Sequence, residues 1–417
     1  MSALAIDTNL IDPKLMPSLG GPPHELFDRW RAEDPVHWNP PSQTYRRHDE
    51  RPTVSQGFWV LTRYADVFSV SRDQELFSSH TGGPVIWDME GENLMRQQAG
   101  LMGMPPQHHR AMKRLLVPAF APRELDRFSD EIEAVAKEIV DDVAVRGECE
   151  FVFDVASRLP VYTFCSLMGI PEAMRERVFT LGNAMADTER EDYVETDALM
   201  QLFAISEEIS AQKRDQPDQS MLSTLIHNEV DGAKLDQLSI NMFFITMSIA
   251  GHETTRGTAG HFLRLMHAHP EQYELLRSDL DRYLPNAIEE VLRVAPPVVK
   301  FRRTVTADTE IGGHPVKAGD KIYLSYPAAN RDPEVFQDPH RFDITRENAA
   351  RHLSFGTGPH VCLGARLARM QLQALLKQII TRLPDVRPVG EMEMLDSIWF
   401  NAVMKMPVTF TPEASGA

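Results

Sequence analysis

The chain has 417 residues, 42% of them hydrophobic and 25% charged, the profile of a globular protein that can bury a large core. Its net charge of −17 excludes a general nucleic-acid binder, which needs a basic face, and three scattered cysteines (Cys149, Cys165, Cys362) exclude a disulfide framework. The opening MSALAIDTNLIDPKLMPSLGG has no basic start followed by a long apolar run, so no signal peptide or anchor is expected and the cytoplasm is the expected location. About the first 20 residues are expected to form an extended arm on a single domain spanning 1–417. Residues 37–57 are polar and proline-containing, a surface loop leading into the aromatic, β-branched strand signal GFWVLTRYADV. Residues 83–107 mix Ile86, Trp87, Met95 and Leu101 with glycines in no clear period. They are expected to form a loop folded over an apolar cavity.

From Leu125 the apolar residues recur at helical spacing, and most of the chain to about residue 295 reads as helix. Asp236 to Ala268 contains no proline and stops at Pro270; as one helix it would be roughly 50 Å long at 1.5 Å per residue. Its middle, NMFFITMSIAG, is apolar all round but too short to span a bilayer. After Pro296, TVTADTEIGG and HPVKAGDKIYLSY alternate as strands. A further helix follows Cys362, and more strands are expected near the terminus. The fold class is mainly α with a small β portion.

Three groups of residues carry chemistry. In AGHETT (250–255), an acid and a hydroxyl sit in an apolar segment, where unpaired polar groups cost several kcal/mol. Thr254 bonding back to the Ala250 carbonyl as a helix kink is one reading; a proton relay beside a reaction centre is the other. His252-Glu253 lacks the second histidine of a zinc helix, because Arg256 occupies that position. Glu290 and Arg293 lie three apart on one helix face, a pair that gains meaning only if other arginines join it inside. The third group is FGTGPHVCLG (355–364). Its glycines let the backbone pass close to something flat, and the helix starting after Cys362 offers N–H groups to a thiolate. A lone accessible thiolate fits axial ligation of a haem iron.

Together these groups closely resemble the cytochrome P-450 family, the haem-thiolate monooxygenases. Phe355, Gly358, Cys362 and Gly364 meet its Phe-x-x-Gly-x-x-x-Cys-x-Gly pattern, Glu290 and Arg293 its Glu-x-x-Arg, Glu253 and Thr254 its acid-alcohol pair. The resemblance implies the cytochrome P-450 fold, with the long central helix over the distal face of haem b (iron protoporphyrin IX). It implies Cys362 as the proximal iron ligand, whose electron donation favours O–O cleavage. Glu253 and Thr254 become the pair that brings protons to the oxygen-activating centre, and Glu290, Arg293 and Arg341 a structural charge network. Arg303 and His360 match the usual partners of the haem propionates. For a further contact in PPQHHRAMKRLL, counting forward from Pro105-Pro106 selects His108, with Met112 four residues on. Counting back from Phe120 selects His109 and Lys113. Met112 cannot bind an anion, so His109 and Lys113 are preferred. By family position, Ile86, Trp87, Thr246, Ile249, Ala250, Val298, Val299 and the turn from Phe400 to Val403 line an apolar pocket.

The implied reaction inserts one oxygen atom of O2 into a lipophilic small molecule; similarity is to bacterial members acting on terpenes, sterols and branched or fatty-acid-like lipids. An iron–sulfur ferredoxin and an NAD(P)H-dependent reductase are the implied electron donors. Arg114, Arg351, Arg366 and Arg369 are the residues from which a basic docking face can be built; ordinary solvated arginines are the other reading. A peroxygenase using H2O2, against which the Glu253-Thr254 pair argues, and a non-catalytic haem ligand-binding protein are the alternatives.

Overall fold

Gln237–Ala268 forms one helix of 32 residues through the middle of the molecule. Asp236 starts it, its carboxylate accepting from Ser239 N at 2.7 Å, and Pro270 opens the next helix after a break at His269. Phe243, Phe244, Phe262 and Leu263 bury opposite sides of it, so other elements pack on more than one side. The computed structural model describes the chain except for residues 1–3, 6–7, 13, 42–53, 55, 187–197 and 415–417.

The helices that position the site are, in chain order, α1 (Gly91–Ala99), α2 (Pro106–Leu116), α3 (Glu172–Ala186), the central α4 (Gln237–Ala268), α5 (Leu280–Val294) and α6 (Ala365–Arg382). Strands β1 (Val36–Asn39), β2 (Phe58–Leu61), β3 (Phe77–Ser78), β4 (Lys300–Val305) and β5 (Lys321–Ser325) form the largest sheet, in the order β1-β2-β5-β4-β3. The β5–β2 pair is parallel and the others are antiparallel. In β4 the alternation of faces separates two neighbouring cations. Arg302 bonds the 84–87 segment through its backbone N to Pro84 O at 3.0 Å and its Nη1 to Trp87 O at 3.1 Å. Arg303 turns to the other side, towards His109 and His360.

This is the mainly α architecture with a small β portion that the sequence indicated, but several local expectations change. The strand signal in GFWVLTRYADV ends at Leu61, and Tyr64–Arg72 is a helix. Residues 83–107 carry helix α1 and a turn at Leu101–Gly103. No residue of α1 is fully buried, and a helix without a buried stripe leaves no apolar period to read. Leu125 ends a short turn, and the long helix expected there starts at Ser129. In the expected N-terminal arm, Leu10 and Ile11 are buried and Leu15–Leu19 is helical. Most of the surface loop expected at 37–57 lies outside the described residues, and its first three residues belong to β1.

Candidate active site

The cysteine loop is built on two left-handed glycines, Gly356 (φ +68°) and Gly358 (φ +70°). At Gly358 an added Cβ would lie 2.8 Å from Arg72 Cα, so the position tolerates no side chain. Cys362 N donates to Phe355 O at 2.8 Å, closing the loop just before Gly364 caps α6. Cys362 is exposed, yet burial pushes its thiol up from the ordinary value. The N–H groups of Gly364 and Ala365 and the charges of Lys113 and Arg369 oppose that rise. The thiol is thus accessible on one side and packed round on the others. It ionises when a metal binds it, because coordination deprotonates a thiol outright.

On α4, Thr246, Met247, Ala250, Gly251 and Thr254 form an accessible or half-buried stripe, whereas His252, Glu253, Thr255 and Arg256 are buried. The stripe follows the i, i+4 rise of one helix face. An added Cβ at Gly251, or at Gly364, would meet nothing within 4 Å. Met247 and Ile249 from α4, and Phe355 and Leu363 from the cysteine loop, pack half-buried on the same core cluster. Thr254 Oγ1 donates to Ala250 O at 2.6 Å, the kink geometry; this bond leaves the hydroxyl oxygen able to accept a further proton donor.

A cluster of basic side chains packs beside the cysteine loop. His109 is buried and stacks on His360 with ring centroids 4.2 Å apart, and Ser79 Oγ lies 3.1 Å from His360 Nε2. Arg303 is buried, and its Nη1 donates to Arg302 O at 2.8 Å. Arg303 Nε and His109 Nδ1 have no hydrogen-bond partner among the described residues. Burial, then the charges of Lys113 and Arg303, hold His109 down to about 4; burial and Arg303 hold His360 at about 2. The Arg303 guanidinium and two neutral imidazoles, gathered without an acid, offer hydrogen-bond donors that fit a group bringing carboxylates. His108 turns away, its Nδ1 3.0 Å from Asp231 Oδ2, so of the two adjacent histidines His109 faces this cluster. Lys113 instead grips the cysteine loop, donating to Pro359 O at 2.7 Å and Val361 O at 3.1 Å.

The Glu290–Arg293 pair is fully buried. The third member of its network is Arg346, whose Nε lies 3.2 Å from Glu290 Oε1. This corrects the expectation of Arg341, whose side chain is 64% exposed and which contributes only its carbonyl, as acceptor from Arg293 and Arg346. Arg341 stands in PHRF (339–342), whereas Arg346 lies beyond that segment and no local pattern marks it. Of the expected pocket residues, Thr246, Ile249, Ala250, Val298 and Phe400 are half-buried or exposed, with Val298 bridged to Phe400. Ile86 and Trp87 lie in a separate core cluster with Leu26, Trp30 and Phe58, and Val299 is also buried. Arg366 pairs with Asp126 and Arg369 with Glu289, while Arg114 and Arg351 are exposed. A surface concavity of about 410 Å³ beside Phe153 and Arg158 holds none of these residues.

Among the described residues no group of three or more His, Cys, Asp or Glu side chains could hold a metal ion, so a metal at Cys362 needs a ligand set of its own. An accessible cysteine in a glycine-built loop, a central helix with an open stripe and a donor-rich edge are the parts a haem-thiolate site requires. A family profile described as Cytochrome P450 matches residues 188–407. A steroid C26-monooxygenase of Mycolicibacterium smegmatis is 33% identical over 93% of this chain and 91% of its own length. A methyl-branched lipid omega-hydroxylase of Mycobacterium bovis is 32% identical over 86% of this chain and 85% of its own. The solved structure of a Mycobacterium marinum cytochrome P450 in complex with pseudoionone superposes with a TM-score of 0.89 at 34% identity, covering 98% of this chain and 100% of that one. The chain belongs to the cytochrome P450 family. Among the described residues no helix is long and apolar enough to cross a membrane.

Proposed function

We propose that the chain inserts one oxygen atom of O2 into a steroid or a terpene-like or branched lipid, with haem b held by Cys362. The observation that carries this is an accessible cysteine whose loop packs on the same core as a helix with an open stripe, apolar except for Thr246 and Thr254. Haem, when bound, supplies the iron at which dioxygen is activated. His109, Arg303 and His360 hold its carboxylates, and the unpartnered Arg303 Nε and His109 Nδ1 support that role. Phe355 and Gly364 flank the iron ligand, and Lys113 steadies the loop that carries it. Ile249, Ala250, Val298 and Phe400 meet the substrate and exclude water, while Thr254 on the open stripe and the buried Glu253 next to it deliver protons. The relatives named for steroid and branched-lipid oxidation, and the neighbour binding pseudoionone, support a hydrophobic substrate with an extended or fused skeleton.

Electrons come from a ferredoxin fed by an NAD(P)H-dependent reductase. Arg114 and Arg351 are the exposed cations for its docking, because Arg366 and Arg369 already face acids. Titrating the ferric protein with steroids, terpenes and straight or branched fatty acids, followed by haem absorption, tests the substrate class. A saturable low-to-high-spin shift with a steroid, terpene or branched lipid supports the reading. A shift confined to straight-chain acids, or none across the panel, contradicts it.

A further inference from the structure

The acid of the acid-alcohol pair does not stand alone on its helix. Glu253 is 1% exposed and forms an ion pair through Oε2 with Arg256 Nη2, one turn further along α4. Its other oxygen lies 3.4 Å from His252 Nδ1. The same Nη2 of Arg256 lies 3.1 Å from Met404 Sδ, in the C-terminal segment.

That segment is docked tightly on α4 just beyond the pair. An added Cβ on Gly257 would lie 3.1 Å from Ala402 Cβ, and one on Gly260 would lie 3.2 Å from Val403 Cβ. Asn401 O is 3.1 Å from His261 Nε2. Two glycines at helical spacing therefore let the turn seat directly against the helix. Its first residue, Phe400, bridges Val298 on the expected pocket wall. One short segment thus touches both the wall that meets substrate and the guanidinium that holds the acid.

We propose that Arg256 is the positioning residue for Glu253, holding its carboxylate charged and in place, and that the 400–404 turn sets the strength of that grip through Met404. Glu253 takes up a proton more readily as the Arg256 contact loosens, since an adjacent cation favours the ionised form. Substrate seated against Phe400 moves the turn and with it the guanidinium, so proton uptake follows occupancy of the pocket. Among the described residues, the titratable and charged groups facing the carboxylate are His252 and Arg256, both on α4. The C-terminal turn presents neutral Asn401 and Met404; Lys405 beyond it pairs with Glu393. Helix α3 presents Phe179 and Gly182 to His252. The inference rests on reading Glu253 as the proton donor.

The test uses haem-loaded protein and reads the protonated-carboxyl band in the infrared as a function of pH. The band of Glu253 is the one missing from Glu253→Gln. In Arg256→Gln its midpoint should rise by about one pH unit or more, the scale on which a neighbouring charge acts. Arg256→Lys keeps a cation and should shift it less, and Met404→Ala should give a rise between the two. The pH profile of coupling between electron use and product should move the same way. An unchanged midpoint in Arg256→Lys and Met404→Ala together with Arg256→Gln, or no band assignable to Glu253 at any pH, overturns the proposal. A shifted midpoint with an unmoved coupling profile upholds Arg256 as the holder of Glu253 and removes Glu253 from proton delivery.

Discussion

Replacing Glu290 by glutamine keeps the side chain's shape and removes its charge from a fully buried site. Its Oε2 accepts from Arg293 Nε at 2.7 Å; its Oε1 accepts from Arg293 Nη2 at 2.8 Å, Asp343 N at 3.0 Å and Arg346 Nε at 3.2 Å. All these partners are donors, so the new amide turns its own N–H groups towards one of them and leaves two guanidinium groups without a counter-charge. Breaking a buried pair in this way costs about 3–5 kcal/mol. For 417 residues at about 2.1 cal/mol/K each, the entropy of unfolding is about 0.9 kcal/mol/K, so a loss of about 4 kcal/mol lowers Tm by about 4–5 °C. Arg293 also donates to Asn330 O and Pro339 O, and Asn330 Nδ2 bonds Ser354 Oγ next to Phe355, so the cysteine loop should loosen as well. Urea unfolding of the haem-loaded protein, followed by near-ultraviolet dichroism, measures the loss. The exposed Glu274–Arg277 pair serves as a control, and Glu274→Gln should cost less than about 1 kcal/mol. A loss below about 1 kcal/mol in Glu290→Gln would refute the buried-network reasoning.

Thr254→Ala should lower the share of electrons that ends in product by about tenfold or more, measured as product formed per NAD(P)H consumed; unchanged coupling removes the hydroxyl from proton delivery. His109→Phe should speed haem transfer to an acceptor apoprotein about tenfold or more, the effect of losing a charged hydrogen bond worth about 1.5–3 kcal/mol. His108→Phe, which breaks only a surface pair with Asp231, should change that rate less than about fivefold. Burial raises Glu289, but hydrogen bonds from Arg369 and His352 outweigh it and hold the carboxyl at about 2, against an ordinary value of 4.5. A carboxyl lowered by folding contributes stability that is present above 4.5 and is lost as pH falls towards about 2. Glu289→Gln should therefore flatten the pH dependence of Tm across that window, and an unchanged slope would contradict the assignment.

The parts of this molecule legible in its sequence are those whose physics is local. Absence of proline and an Asp236 cap fix the central helix, and glycines at 356 and 358 mark left-handed backbone that favours glycine. What could not be read depends on residues brought together from far apart. Arg346 meets Glu290 across more than fifty positions, and Met404 reaches Arg256 across nearly 150. Arg256 registers in the sequence only as the residue that spoils a zinc motif; its ion pair with Glu253 appears once the helix is built. Ile86 and Trp87 are large and apolar, which predicts burial but not the cluster that buries them. Lys113 has the right spacing from His109 for an anion, yet its reach ends on two carbonyls of the cysteine loop.

The claim on which the account depends is that Cys362 is the thiolate ligand of haem iron. Iron-edge X-ray absorption on the purified, haem-loaded protein tests it directly. The account predicts an iron–sulfur scattering path in the native protein that disappears in Cys362→Ser while Cys149→Ser and Cys165→Ser retain it. A native protein without that path, or one that keeps it after Cys362 is replaced, would contradict the account.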